Sequence, residues 1–178
     1  MINIYVGKPG MGKTYTLVKK AYKFINEGKN IYSNFYMNFN KMPLKDNHGQ
    51  IFFWQDILEI VPIKTGEIFI DEAQIYMNSR EWKDLPKQVQ YKLQQHRKHG
   101  VNIHGAVQNI KRIDKVCREI VNSVFEIKRI GKLFIAKEFD IEDIDKTRRS
   151  NLSLSFYFLN KKLANCYDTL QEINLDKK

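Results

Sequence analysis

Residues 7–14 read Gly7-Lys8-Pro9-Gly10-Met11-Gly12-Lys13-Thr14, and the segments on either side decide what this stretch is. Upstream lies an apolar run, Ile2 to Val6. Downstream, Leu17, Val18, Ala21, Tyr22 and Ile25 recur at helical spacing until Gly28 closes the helix. A strand, a glycine-rich loop and a helix in that order make a phosphate-binding loop. The glycines let backbone N–H groups curl round a β-phosphate, Lys13 reaches the β and γ oxygens, and the Thr14 hydroxyl ligates Mg²⁺. The nucleotide-binding residues are thus expected to be Gly7, Lys8, Pro9, Gly10, Met11, Gly12, Lys13, Thr14 and Tyr15, with ATP and Mg²⁺ as cofactors.

Beyond the loop, the pattern predicts helices over 13–27, 54–61, 86–99 and 111–120. It predicts strands over 2–6, 30–35, 51–53, 67–72, 101–107, 124–129, 133–139 and 152–159. Residues 140–149 alternate in charge and read as a solvated loop or short helix. Strands alternating with helices after a phosphate loop argue for an α/β fold with a mainly parallel central sheet, helices on both faces and an antiparallel extension near the C-terminus. The 178 residues read as one phosphate-loop domain, with a core over about 1–130 and a strand extension over about 131–178.

Thirty Lys and Arg against twenty Asp and Glu give a net charge of +10, which favours a polyanionic partner, DNA or an acidic surface. Cys117 and Cys166 stand far apart and read as reduced thiols. His96, His99 and His104 cross a helix, a Gly100 stop and a strand, a spacing that does not make a zinc site. The first strand starts one residue into the chain, leaving no room for a signal peptide, and no apolar run approaches the ~20 residues that span a bilayer. The expected location is the cytoplasm of a bacterial host.

Glu67-Ile68-Phe69-Ile70-Asp71-Glu72 is an apolar strand ending in two carboxylates. Asp71 is placed to hold Mg²⁺, and Glu72 to polarise a water for attack on the γ-phosphate. Transfer to water makes an ATPase; a small-molecule kinase would need an acceptor pocket, and no Arg-rich lid is present to cover one. Gln108, ending the 101–107 strand, is positioned to sense the γ-phosphate. A further cation is required in the transition state, often an arginine from a neighbouring subunit, and Arg118 and Arg97 lead the candidates ahead of Arg112 and Arg80. Basic residues crowd the second half, Arg148 and Arg149 among them. Lys111, Arg112 and Lys115 follow the Gln108 strand closely enough to couple nucleotide state to grip on DNA phosphates without reading sequence.

Several ordered motifs carry a family resemblance: residues 1–14, Asn30 to Phe35 (NIYSNF), Ile68 to Gln74 (IFIDEAQ), Gln95 to Ile103 (QHRKHGVNI), Gln108 to Glu119 (QNIKRIDKVCRE) and Tyr167 to Thr169 (YDT). Together they resemble the zonular occludens toxin-like ATPases of phages, a group similar to the FtsK and HerA superfamily of DNA motors. The resemblance implies a RecA-like core, a homo-oligomeric ring with nucleotide at subunit interfaces, and movement of viral DNA during virion assembly. It implies nucleotide chemistry at Lys13, Thr14, Asp71, Glu72 and Gln108, and capsid, portal or vertex proteins as partners. Filamentous-phage members continue into a membrane helix and this chain shows none, so packaging into a preformed capsid is favoured. Membrane extrusion, with the membrane segment outside this chain, and a DNA- or capsid-binding scaffold with little turnover are the alternatives.

Overall fold

Alternation along the first strand, β1 (Ile2–Val6), builds two cores at once: Ile2 and Ile4 face one side of a sheet and Tyr5 the other, all three fully buried. In this computed structural model, which describes residues 1–78, 84–143 and 152–168, the strand leads through the glycine-rich loop into α1 (Lys13–Asn26). Then follow β2 (Ile31–Ser33), β3 (Ile51–Phe53), β4 (Gly66–Ile70), α2 (Gln74–Met77), α3 (Lys87–Gln94) and β5 (Val101–Val107). The chain continues through α4 (Lys115–Glu119), β6 (Ser123–Ile130), β7 (Leu133–Phe139), β8 (Ser153–Phe158) and α5 (Lys161–Ala164).

The eight strands form one sheet in the order β3-β2-β4-β5-β1-β6-β7-β8. All pairs from β3 to β6 are parallel, and β6, β7 and β8 run antiparallel, the extension expected from the sequence. Leu17, Val18, Ala21 and Ile25 of α1, with Leu163 of α5, cover one face. Val89 and Leu93 of α3, Tyr76 and Met77 of α2 and Cys117 of α4 cover the other. One arrangement in that order positions the site. β5 lies between β1 and β4, so the chain ends leaving all three strands emerge side by side on one edge: Gly7 after β1, Gln108 after β5 and Asp71 after β4. Ligands in open α/β sheets bind at such carboxyl ends.

Three predicted helices are shorter than the sequence pattern suggests. The 86–99 helix stops at Gln94 because Leu93 is its last buried aliphatic residue; i→i−3 turns then carry Gln95 to Gly100 into β5. The 54–61 helix is a 3₁₀ turn, Ile57–Ile60, capped by Asp56 and Glu59. The 111–120 helix is broken in two, a 3₁₀ turn Ile110–Arg112 and then α4. Ile113 is buried and bridges Asn78 between them, and Asp114 caps α4 afresh through Val116 N–H. Lys111 and Arg112 therefore do not share a helix with Lys115. Arg80, Arg148, Arg149 and Thr169 lie outside the described residues. Both cysteines are buried and free.

Candidate functional site

Gly12 ends the loop in the left-handed region, φ 85°, and the first intrahelical bond of α1 is Thr16 N–H to Gly12 O at 2.9 Å. The N–H groups of Lys13, Thr14 and Tyr15 precede that bond, leaving the positive end of the helix for an anion. Lys13 is 7% exposed and its Nζ folds back to donate to Lys8 O at 3.4 Å, so the lysine arches over the loop. The Tyr15 side chain is engaged elsewhere. Its ring packs in a cluster with Phe134 and Tyr157, and its hydroxyl donates to Phe158 O and accepts from Asn160 N–H; only its backbone N–H serves the loop.

Gly12 has a second constraint. A Cβ there would lie 2.1 Å from Cε1 of Phe134, a buried ring held against both Tyr15 and Tyr157. We expect Gly12→Ala to destabilise the fold by about 2–5 kcal/mol, summing left-handed strain and overpacking. Thermal melting checks this, and Phe134→Leu in the same chain is expected to recover part of the loss. An unchanged melting temperature for Gly12→Ala would show that the ring gives way.

Opposite the loop, Thr14 Oγ1 donates to Asp71 Oδ2 at 2.8 Å. Burial pushes the Asp71 carboxyl above its ordinary value and the neighbouring Glu72 charge adds to the push, while Thr14, the Glu72 N–H and Lys13 resist it. A desolvated carboxylate beside a hydroxyl suits a hard cation that takes oxygen ligands, and a cation carried by phosphates needs few ligands from the protein. Asp71 is held from behind by Asn34, which sequence reading did not assign. Asn34 Nδ2 donates to Asp71 O at 3.0 Å and Asn34 Oδ1 accepts from Asp71 N–H at 2.8 Å. An amide is the one neutral side chain that both donates and accepts in this way, but only the β2–β4 pairing brings it there.

Glu72 has φ 50°, the one non-glycine residue with positive φ among those described. Such a conformation costs on the order of 1–3 kcal/mol and gathers at functional sites. It turns the chain so that Ala73 N–H bonds Ala106 O at 2.8 Å, and Gln74 Nε2 donates to Glu72 Oε2. Gln108, at the end of β5, accepts at Oε1 from Arg112 Nη1 at 3.2 Å. The structure thus ties Arg112 to Gln108. The two leading arginines lie elsewhere. Arg97 sits in the turn before β5, close enough to the Met1 amino group to affect it, and Arg118 is on α4, which leads to Asn122 bonding Ile2 O. Five residues of β1, about 17 Å, separate the Met1 end from the loop, so Arg97 does not reach this chain's own phosphate site; the Arg118 Nε is buried at α4.

Among the described residues no helix is long and apolar enough to cross a membrane. No curated protein sequence matches the chain closely enough to count as a relative. Solved structures do match. The N-terminal domain of zonular occludens toxin from Neisseria meningitidis superposes with a TM-score of 0.61 at 21% identity, covering 94% of this chain and 98% of that one. The genome packaging NTPase B204 of Sulfolobus turreted icosahedral virus 2, bound to ATP-gammaS, gives 0.57 at 10% identity over 88% and 96%. The same NTPase bound to AMP gives 0.59 at 10% identity over 84% and 95%. At these identities the likeness is one of fold, that of RecA-like phosphate-loop NTPases. A family model described as zonular occludens toxin (Zot) matches residues 1–169, nearly the whole sequence, and the chain belongs to that family.

Proposed function

We propose that the chain is an ATP-hydrolysing, DNA-translocating motor that serves viral genome packaging or virion assembly. The observation that carries the reading is the meeting, at one sheet end, of the lysine-arched loop, the 2.8 Å Thr14–Asp71 pair and Gln108. In this reading the backbone N–H groups of residues 10–15 and Lys13 bind the phosphates. Thr14 and Asp71 would hold Mg²⁺, which spreads the charge of the phosphate oxygens. Glu72 orients a water in line with the γ-phosphate and accepts its proton, and Gln108 donates to the γ-phosphate. An arginine from a neighbour, Arg118 or Arg97, supplies the further positive charge. Arg97 lies at the opposite end of β1 from its own loop, which suits a residue acting between subunits.

The naming of B204 as a genome packaging NTPase supports the packaging branch for a fold relative. Its complex with ATP-gammaS supports ATP as the nucleotide here. The host cytoplasm, with visits to a capsid vertex or the inner membrane, is the place such a motor works. Steady-state ATP hydrolysis tests the reading, with and without duplex DNA, beside a Lys13→Ala control. Turnover that rises with DNA supports the motor; a single turnover per site turns the reading to a scaffold, and turnover indifferent to DNA counts against translocation.

Lys111, Arg112 and Lys115 are exposed on the segment that leaves Gln108. If they grip DNA phosphates, reversing all three to Glu is expected to flatten the dependence of log K on log salt by about 2.7, near 0.9 for each lost contact. A slope equal to the parent's would place the DNA surface elsewhere.

A further inference from the structure

The sheet has two outer strands, β3 and β8, and both carry exposed apolar side chains. Along β8, Leu154, Phe156 and Phe158 alternate onto one face and are 49%, 58% and 71% exposed. Phe158 stands opposite Leu133, and Leu133 opposite Ile130, itself 68% exposed, so the patch runs across three strands. The other face of these strands is packed beneath α1 through Ile127, Phe134, Ala136 and Tyr157. An edge strand that ends in open phenylalanines and has no charged residue between Ser153 and Phe158 to blunt it marks an interaction surface.

The far edge is its counterpart. Phe52 and Phe53 of β3 and Leu58 in the turn beyond are 40%, 44% and 41% exposed. The charges of the two edges are opposite. Residues 126–138 and 152–165 contain Lys128, Arg129, Lys132, Lys137, Lys161 and Lys162 against Glu126, paired with Lys128, and Glu138, which accepts from Ser153 of β8, leaving this edge net basic. Residues 46–59 contain Asp46, Asp56 and Glu59 and no Lys or Arg. Each edge would repel a copy of itself and attract the other.

We infer that the β8 edge is covered by the β3 edge of a second copy of this chain, a head-to-tail contact. Repeated, such a contact closes a ring or extends a filament, because the two surfaces differ. The inference rests on the ring reading above and adds to it the surfaces and their polarity. It also places the contact beside the nucleotide. The Tyr157 hydroxyl on β8 meets Thr16 Oγ1 at 2.6 Å, and Phe134 on β7 lies under Gly12, so a neighbour seated on β8 presses on strands that touch the phosphate loop.

The test uses two variants of the full chain, each confirmed folded by circular dichroism: Phe156→Glu/Phe158→Glu at one edge and Phe53→Lys/Leu58→Lys at the other. All four side chains are exposed, so the core is left intact. By sedimentation velocity the parent is expected to associate with rising concentration, and each variant alone to stay monomeric over a tenfold range beyond that. Mixed one to one, the variants are expected to form a dimer and nothing larger, since each keeps one sound edge. A parent that stays monomeric overturns the inference, as do variants that still associate, or a mixture that gives no dimer. Loss of binding to anionic phosphatidylserine vesicles by the β8 variant, with association unchanged in both, would also overturn it and assign the face to lipid. ATP hydrolysis measured on the same samples separates the two readings. Hydrolysis without association removes the edge contact and leaves the enzyme; association without hydrolysis does the reverse.

Discussion

Glu72→Gln is expected to retain ATP binding and lose hydrolysis, with kcat falling by about 10²–10⁴-fold, the range a positioned general base contributes. The substitution is nearly isosteric and leaves the loop, Lys13 and the Thr14–Asp71 pair in place, so nucleotide affinity is expected to stay within about threefold. The assignment draws on backbone as well as chemistry. A glutamate at φ 50° holds a conformation that glycine would hold without strain, so the fold accepts that strain to keep a carboxylate at the end of β4. Nucleotide titration and single-turnover hydrolysis on the same preparation check it. Loss of both binding and turnover would make Glu72 structural, and unchanged turnover would give the role of base to another residue.

The parallel core was legible chiefly through β1 and β4, apolar strands that stand beside motifs with a mechanical requirement, the glycine-rich loop and the Asp71–Glu72 pair. The loop demands a strand before it and a helix after it, and β1 and α1 begin where residues 2 and 13 put them. Strand order was not legible. That β5 lies between β1 and β4, bringing Gln108 to the same edge as Asp71, follows from tertiary packing that no local pattern encodes. The same gap hid Asn34 and Phe134. One is a polar residue after a strand and the other an aromatic on a strand, and each acquires its role from a neighbour more than 30 residues or more than 100 residues away in sequence. The sequence pattern makes helix ends too long where polar residues continue beyond the last buried aliphatic side chain, as from Gln94 to His99, because packing and not propensity sets where a short helix stops.

Glu67→Ala is expected to cost on the order of 2–4 kcal/mol, since it leaves the buried His104 Nε2 and the half-buried Asn102 amide without their acceptor, at about 1–3 kcal/mol for each orphaned donor, while Lys29, half-exposed, can turn to water. Glu67 is 1% exposed at the start of β4 and accepts from Lys29 Nζ at 2.7 Å, His104 Nε2 at 2.8 Å and Asn102 Nδ2 at 3.0 Å. Burial by itself would raise its carboxyl, but these three donors prevail and hold it at about 2, against an ordinary 4.5. Burial also pushes His104 down, so the ring is neutral, donating from Nε2 to Glu67 and accepting at Nδ1 from the Tyr5 hydroxyl at 3.3 Å. The Glu67–His104 contact is then a charge-assisted hydrogen bond, with Lys29 supplying the countercharge. Both shifts act in the same direction with pH. A folded histidine kept neutral loses stability as pH falls below 6.5, since the unfolded chain takes up the proton that the fold refuses. A carboxylate held low contributes fully above 4.5 and loses that contribution as pH falls toward 2, a difference on the order of 3 kcal/mol. Melting temperature is therefore expected to be level at neutral pH and to fall in two stages below it. Glu67→Gln should remove the lower stage and keep the upper. Because the network joins β1, β5 and β4 four residues, about 13 Å, before Asp71, folded Glu67→Gln is expected to hydrolyse ATP within about threefold of the parent at low temperature. A large loss of turnover with unchanged melting would mean that the register of these three strands is set by the Glu67 charge, and that the alignment of Gly7, Gln108 and Asp71 depends on it.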